Sequence, residues 1–344
     1  MSVQTLFDEM KARLSDIVPE FELQTKAEVA HEILRLKEER NAVILAHNYM
    51  EPALYHSVPD FRGDSLALAR HAAETKKDVI VFCGVRFMAE TAKILSPEKT
   101  VLLPSSKAGC SLASSITAAD VVALKKRFPG VPVVAYVNTY ADVKAEVDIC
   151  CTSGNAANVV RSLGSDTVIF IPDEYLAANI AKETGKRVVL ANREIMENDS
   201  GIPRNAMITW GGRCEVHEKF TVDDIRDVRR QFPDAVILSH PECSPAVVDA
   251  SDFSGSTAEM IRFVEESETG RHLLLTECAM GDNIAASNPD KEMLRLCSVR
   301  CPHMNEITLE DTLDALRNNR YEVDVPEPTR TRARGSIERM LTIS

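Results

Sequence analysis

The chain has 344 residues, 44% of them hydrophobic, with 40 Lys and Arg against 52 Asp and Glu, a net charge of −12. That length suits two or three domains rather than one core, and the acidic balance argues against nucleic acid or an anionic membrane as the main partner. Residues Met1 to Glu20 carry acids and lack the apolar segment of a signal peptide, and no apolar run approaches a membrane span, so a cytoplasmic protein is expected, whose nine cysteines are thiols or metal ligands rather than disulfides.

Along the chain, residues 1–24 read as an N-terminal packing arm, with an exposed flexible tail as the equal alternative. Thr25-x-x-Glu28 then predicts a helix over Ala27 to Glu39 that leads into the strand Val43-Ile44-Leu45-Ala46, ending at His47. Gly63-Asp64-Ser65 opens an amphipathic stretch to Glu74, and a second apolar run covers Val79 to Phe82. The same order recurs twice. Val133-Val134-Ala135 ends at Tyr136 and is followed by Thr152-Ser153-Gly154 and the run Val168 to Ile171. Val236-Ile237-Leu238 leads to His240, then Gly255-Ser256-Thr257 and the run His272 to Leu275. The tail from Pro326 to Ser344 is expected to begin extended and to turn helical at its end.

Short runs of Val, Ile and Leu alternating with helical stretches predict βαβ units and parallel sheets covered on both faces. Self-similarity over roughly a hundred residues is too long for a solenoid and suits triplication of a small domain. The expected architecture is therefore α/β: three three-layer α/β/α domains related by a pseudo-threefold axis, with a site at their common interface. The expected boundaries are 25–107, 108–200 and 201–300, followed by a closing cysteine loop, capped helix and tail over 301–344.

Three cysteines share one context. Cys110, Cys214 and Cys301 are each followed seven residues later by Thr117, Thr221 and Thr308, and three residues after that by Asp120, Asp224 and Asp311. Thr-x-x-Asp is a helix-opening box, and Ile116, Phe220 and Ile307 stand where a hydrophobic staple begins. In open parallel sheets ligands bind beyond the carboxyl ends of the strands, where His47, Tyr136 and His240 fall. The Ser and Thr segments that follow open helices, whose N-termini favour carboxylate or phosphate. An anionic small-molecule pocket between domains follows, although plain helix capping would also use such hydroxyls.

Cysteines 104 and 87 residues apart form no zinc knuckle. With His217 they would make a Cys3His zinc site; a [4Fe–4S] cluster on three cysteines would instead leave one iron open as a Lewis acid. Spacing leaves both open. Cys83, Cys243, Cys278 and Cys297 read as core or loop thiols, Cys150-Cys151 as a buried pair, and His56, His71, His272 and His303 as surface or structural. Lys107 is either a phosphate attractor or an exposed lysine. Nucleotide-binding glycine motifs are missing from any usable context.

The segments Ala46-His47-Asn48-Tyr49, Gly63-Asp64-Ser65-Leu66, Val85 to Lys93, Ala108 to Ala113, Tyr136-Val137-Asn138-Thr139, Cys214-Glu215-Val216-His217, His240-Pro241-Glu242-Cys243 and Cys301-Pro302-His303-Met304 occur in order. Together they resemble the quinolinate synthase family of de novo NAD synthesis, from about Ala42 to Leu309. The resemblance implies a [4Fe–4S] cluster on Cys110, Cys214 and Cys301. It also implies condensation of iminoaspartate with dihydroxyacetone phosphate to quinolinate, phosphate and two waters, with a functional link to the enzyme that supplies iminoaspartate. By resemblance, His47, Ser65, Tyr136, Val137, Asn138, Ser153, His240, Pro241, Glu242 and Thr257 bind substrate, while Tyr49, His217 and Glu242 stand nearest the proton transfers. Glu242, beside a cluster and a bound dianion, is expected to have a raised pKa. Tyr140 departs from the pattern, being bulkier than the small residue expected there. Two other classes stay open: an aconitase-like iron–sulfur dehydratase and a zinc-stabilised binding protein.

Overall fold

The computed structural model describes residues 2–191, 201–296 and 299–343. Within them the β-branched runs form three all-parallel sheets. The first holds β1 (Ala42–His47), β2 (Phe61–Gly63), β3 (Val79–Cys83) and β4 (Thr100–Leu102), in the order β2-β1-β3-β4. The second holds β5 (Val133–Tyr136), β6 (Ile149–Cys151), β7 (Val168–Ile171), β8 (Arg187–Leu190) and β9 (Ala206–Thr209), in the order β6-β5-β7-β9-β8. The third holds β10 (Val236–Ser239), β11 (Phe253–Ser254), β12 (Arg271–Leu275) and β13 (Glu292–Leu294), in the order β11-β10-β12-β13. One order serves all three, with β8 added outside β9 in the second.

Each sheet carries the same brace. Asp60 accepts from the Ile44 backbone N–H at 2.8 Å, Asp148 from Val133 at 2.7 Å and Asp252 from Ile237 at 2.8 Å. Each aspartate immediately precedes the second strand and reaches across to the first strand, satisfying a backbone donor where the ladder begins. The expected helix Ser65–Glu74 forms with those bounds, capped by Asp64. All three Thr-x-x-Asp boxes close reciprocally: Thr117 with Asp120, Thr221 with Asp224 and Thr308 with Asp311 open the helices Ala118–Arg127, Val222–Gln231 and Leu309–Asn318. Ile116, Phe220 and Ile307 are buried ahead of them.

Two expectations differ from the fold. The helix expected from Thr25 begins at Glu20 and runs to Glu39, so Thr25 lies inside it. Pro19 precedes the first turn, and Glu20 and Glu22 complement the dipole there, a stronger start than Thr25-x-x-Glu28. The arm ahead of it contains the helix Val3–Leu14, which buries Leu6, Met10 and Leu14. At the other end the tail is helical from Glu327 to Leu341 rather than extended first, because Pro326 and Pro328 flank the start, where no intrahelical N–H is needed. This last helix packs on the second sheet's side of the molecule: Ser336 donates to the Lys144 carbonyl at 2.9 Å and Arg339 to that of Asp148 at 2.7 Å.

The helix after Cys301 returns to the first sheet. Lys26 pairs with Glu310 at 2.9 Å and with Glu51 at 3.2 Å, and Glu51 also accepts from the Leu309 N–H at 2.9 Å. Chain ends about three hundred residues apart in sequence are thereby packed together. Among the described residues no helix is long and apolar enough to cross a membrane.

Candidate functional site

His47 ends β1, Tyr136 ends β5 and His240 directly follows β10, so the three occupy corresponding strand ends in the three sheets. Two residues beyond each stand Tyr49, Asn138 and Glu242. The short turns that follow the strands return these side chains to the same place, and all six line one pocket. Val137 and Pro241, the residues between, do not. Val137 packs into a neighbouring apolar gap with Phe82 and Met88, and Pro241 lies at a separate cleft, where its carbonyl accepts from Asn179 at 2.8 Å. Ser65, Ser153, Thr257, His217 and the cysteines Cys110, Cys214 and Cys301 complete the expected residues on the pocket.

The hydroxyls are not used up as caps. Asp64 caps the helix that Ser65 begins, and Ser256 with Glu259 caps the one that Thr257 begins. Thr257 instead accepts from the Asn48 side chain at 2.9 Å, and Ser153 Oγ lies 3.4 Å from His240 Nε2. The rings of His47 and His240 are held alike. Each Nδ1 accepts the backbone N–H two residues on, from Tyr49 and Glu242, at 3.3 Å. A neutral ring so held carries its proton on Nε2.

Burial pushes His47 down to about 4, and burial with the neighbouring His217 pushes His240 down to about 3. Both are neutral when folded, whereas in the unfolded chain they protonate near 6.5. Below that pH the unfolded state binds more protons, so these rings cost stability as pH falls from about 6.5 toward 4 and cost nothing above it. Glu277, raised by burial to about 7, works the other way, gaining stability as pH falls through 7. Denaturant unfolding at pH 7.5, 6 and 5 should therefore show a smaller acid loss in a His47→Gln, His240→Gln double variant than in the parent. An equal loss in both would assign the acid sensitivity to other groups.

Glu242, 2% exposed, is the most heavily bonded group of the pocket. Its Oε2 lies 2.6 Å from His217 Nδ1, its Oε1 accepts from Asn138 at 3.1 Å, and the Tyr136 hydroxyl also donates to it. Burial works to raise its pKa, yet His217, His240 and Tyr136 together hold it well below the usual carboxylate range. The raised pKa expected beside a cluster and a bound dianion is thus opposed by an imidazole within hydrogen-bonding distance. His217 also stacks on His240, with ring centroids 4.6 Å apart. Burial drives the Tyr49 and Tyr136 phenols well above their usual value, so both are neutral donors.

The three cysteine loops are built alike. The Cys110, Cys214 and Cys301 carbonyls accept from the N–H four residues on, at 3.0, 3.0 and 3.1 Å, closing a short turn before each capped helix. Each sulfur faces backbone N–H groups two and three residues ahead: Leu112 and Ala113, Val216 and His217, His303 and Met304. Burial pushes Cys110 up to about 12 and Cys301 up to about 11, and it raises Cys214 as well. Thiols so buried do not ionise unaided, while N–H groups aimed at sulfur suit thiolates bound to a metal. The donor set fits a metal group. A tighter set of donors, Cys214, His217 and Glu242, has ligand atoms all within 4.8 Å of one another.

One glycine holds the Cys214 loop in place. A Cβ on Gly212 would come within 2.6 Å of the Pro172 carbonyl and would also meet the Ser115 hydroxyl of the Cys110 loop. Gly212→Ala should displace the loop, at a cost of about 1–3 kcal/mol in unfolding free energy, and should lower the content of any metal group that the loop helps to hold. Unchanged melting and metal content would show that the contact yields easily.

A model of the quinolinate synthetase A protein family matches residues 31–342. The chain belongs to this family. It is 52% identical over 343 residues to the quinolinate synthase of Agrobacterium fabrum, covering 100% of this chain and 92% of the relative. To quinolinate synthase 2 of Mesorhizobium japonicum it is 52% identical over 96% of each chain, and to quinolinate synthase of Xylella fastidiosa 52% over 90% of this chain and 86% of the relative. The family is one of enzymes, and the pocket described above is where this chain gathers its titratable side chains.

His303, read from the sequence as surface or structural, lines the pocket of this family member and pairs with Glu215 at 3.2 Å. Its position two after Cys301 was the available signal. Thr276, which touches both Tyr49 and His217, was also missed. Lys107 is exposed and off the pocket, and Tyr140 lies under the Arg86 guanidinium, 5.3 Å from ring centroid to Cζ. Cys83, Cys243, Cys150 and Cys151 are buried, as expected of core thiols; Cys297 lies outside the described residues.

Proposed function

We propose that the chain is a cytoplasmic quinolinate synthase of NAD biosynthesis. It would condense iminoaspartate with dihydroxyacetone phosphate to quinolinate, releasing one phosphate and two waters. The observation that carries the reading is one pocket on which three alike cysteine loops meet the strand-end residues of three sheets. We propose further that the three sheets belong to pseudo-threefold-related α/β/α units over 25–107, 108–200 and 201–300. Because β9 at Ala206–Thr209 pairs with β7, the second boundary is better drawn after Thr209 than at 200. Residues 1–24 and 301–344 then form the arm and the closing segment.

Cys110, Cys214 and Cys301 would hold a [4Fe–4S] cluster. Bound there, the cluster supplies an iron without a protein ligand, which polarises a substrate oxygen or nitrogen as a Lewis acid. Zinc bonds thiolate at about 2.3 Å, so its ligand atoms lie within roughly 4.6 Å of one another. Cys214, His217 and Glu242 approach that, but Cys110 and Cys301 stand outside the tight set, which favours a larger, polynuclear group.

The pocket's own residues account for the remaining chemistry. His47 and His240, each with its proton on Nε2, and the hydroxyls of Ser65, Ser153 and Thr257 would donate to the carboxylates of iminoaspartate and of the product. Tyr136 and Asn138 would orient the same anion, with the Val137 and Pro241 backbones shaping the loops between. Ring closure with loss of two waters needs protons moved between carbon, nitrogen and oxygen. Glu242 and His217, 2.6 Å apart, can share one proton, and Tyr49 adds a neutral phenol donor.

An anaerobic preparation tests the reading. About four irons with acid-labile sulfide per chain, and quinolinate formed only when both substrates are present, are expected. Turnover of a single hydroxyacid would favour an aconitase-like dehydratase. One zinc per chain without catalysis would leave a zinc-stabilised binding protein. Physiologically, a functional link to the enzyme supplying iminoaspartate is proposed, with neither nucleic acid nor membrane as partner.

A further inference from the structure

We propose that Tyr140, held between Arg86 and Ser114, is a positioning residue that clasps the loop carrying Tyr136 and Asn138 in place before substrate binds. The inference deepens the proposed function and rests on the reading of the pocket as the quinolinate site.

The loop from Tyr136 to Ala141 joins β5 to a short helix, Ala141–Lys144. Tyr136 and Asn138 line the pocket, whereas Arg86, Glu90, Ser114 and Tyr140 do not. Two backbone anchors fix the helix end of the loop. The Ala141 N–H, which has no partner within its own helix, donates to Glu90 Oε2 at 2.9 Å. Glu90 is 3% exposed, and its Oε1 accepts from Arg86 Nε at 2.8 Å, so one buried carboxylate serves both groups. The Thr139 carbonyl accepts from Lys144 Nζ, whose residue is fully buried.

Tyr140 ties the loop in the other direction. It stands just ahead of the helix, where a side chain often caps, and makes no capping bond. Its ring lies against the Arg86 guanidinium, 5.3 Å from centroid to Cζ, and the bond to Glu90 orients that guanidinium. Its hydroxyl reaches the Cys110 loop. Oη lies 3.3 Å from Ser114 Oγ, and Ser114 Oγ donates to the Cys110 carbonyl at 3.0 Å. With the serine proton so placed, the phenol is the donor to Ser114. Gly109, which lines the pocket, leaves room for the phenol: a Cβ there would sit 3.5 Å from Oη. The Arg86 N–H donates to the Ala108 carbonyl at 2.8 Å, so the helix that bears Arg86 meets the same cysteine loop.

A small residue at this position would still allow the helix to start, because Glu90 already satisfies the Ala141 N–H. The ring and hydroxyl of Tyr140 therefore act on the loop rather than on the helix. Tyr136 and Asn138 meet substrate only with that loop in place, and a loop ordered beforehand removes the ordering entropy from binding. Stacking on an exposed guanidinium together with one hydroxyl contact amounts to roughly tenfold in the loop's equilibrium. Bound ligand then holds the loop through its own contacts, so affinity responds to Tyr140 and the rate of chemistry does not.

In the cluster-loaded enzyme, Tyr140→Ala should raise KM and the quinolinate dissociation constant by roughly 10-fold and leave kcat within about threefold of the parent. Amide exchange over residues 137–141 of the ligand-free enzyme should quicken by a similar factor, with iron content and melting temperature near parent values. Tyr140→Phe, which keeps the ring over Arg86 and loses the hydroxyl, should fall between parent and Tyr140→Ala. Arg86→Ala should weaken binding as well, and adding it to Tyr140→Ala should cost little more. Parent-like affinity in Tyr140→Ala, full additivity of the two substitutions, or lost iron and stability with exchange unchanged would each overturn the inference. Should Tyr140→Ala fail to fold, parent-like affinity in both Tyr140→Phe and Arg86→Ala would overturn it. A parent that neither forms nor binds quinolinate would overturn the proposed reaction instead, and unchanged exchange over 137–141 would then still overturn the clasp.

Discussion

Cys110→Ser, Cys214→Ser and Cys301→Ser are each expected to abolish both the iron–sulfur cluster and turnover. Each substitution would remove one of the three proposed anchors, and no other described thiol lines the pocket to replace it. Cys83, Cys150, Cys151 and Cys243 are buried, Cys278 is half-buried, and none of the five lines the pocket. Serine matches cysteine closely in shape. The turn closed by the cysteine carbonyl and the capping box seven residues on do not depend on sulfur, so the fold should survive. Iron and sulfide analysis with visible absorption reads the cluster, while a thermal melt checks that the chain still folds. Cys297→Ser should leave cluster and rate largely intact, since Cys297 lacks the Cys-x6-Thr-x2-Asp context. A full cluster in Cys301→Ser together with its loss in Cys297→Ser would show the anchor to be the other member of that pair.

Features that the sequence displays by local rules were the ones it revealed. The runs at Val43, Val133 and Val236 became first strands because β-branched residues bounded by turns leave few alternatives. The Thr-x-x-Asp boxes closed as expected because a capping box involves only four consecutive residues. Local rules also explain two errors. Thr25-x-x-Glu28 looks like a helix start, but Pro19 six residues earlier had already fixed one. The prolines at 326 and 328 suggested extended chain, although a first helical turn tolerates them. Val137 and Pro241 lie off the pocket that their neighbours line, so any contact they make with substrate would come from their backbones.

Long-range partners left less trace. Asp60, Asp148 and Asp252 brace three sheets alike, but each lies 15 or 16 residues from the strand N–H it accepts. Thr276 reaches Tyr49 across 227 residues, and no spacing rule connects them. The surroundings of the Glu242 carboxylate left no local trace either. Burial alone would raise its pKa, while the approach of His217, 25 positions earlier, together with His240 and Tyr136, works against that rise.

That approach determines what Glu242→Gln should do. Glutamine keeps the length of the side chain and can still accept from Asn138, but its amide cannot exchange a proton with His217 at neutral pH. If the amide N–H faces Nδ1, two donors oppose each other and the ring must turn or change tautomer; if the amide oxygen faces it, the contact survives without a proton acceptor. Either way turnover should fall by roughly 10²–10⁴-fold, the usual contribution of a positioned acid–base group. Iron content and the cluster spectrum should barely change, since no thiolate is altered. The split between constants separates chemistry from binding: a residue that only holds substrate would raise KM and leave kcat intact. Parent-like kcat in a cluster-replete Glu242→Gln enzyme would remove Glu242 from the proton transfers and shift that work to Tyr49 and His217, the two groups that Thr276 joins.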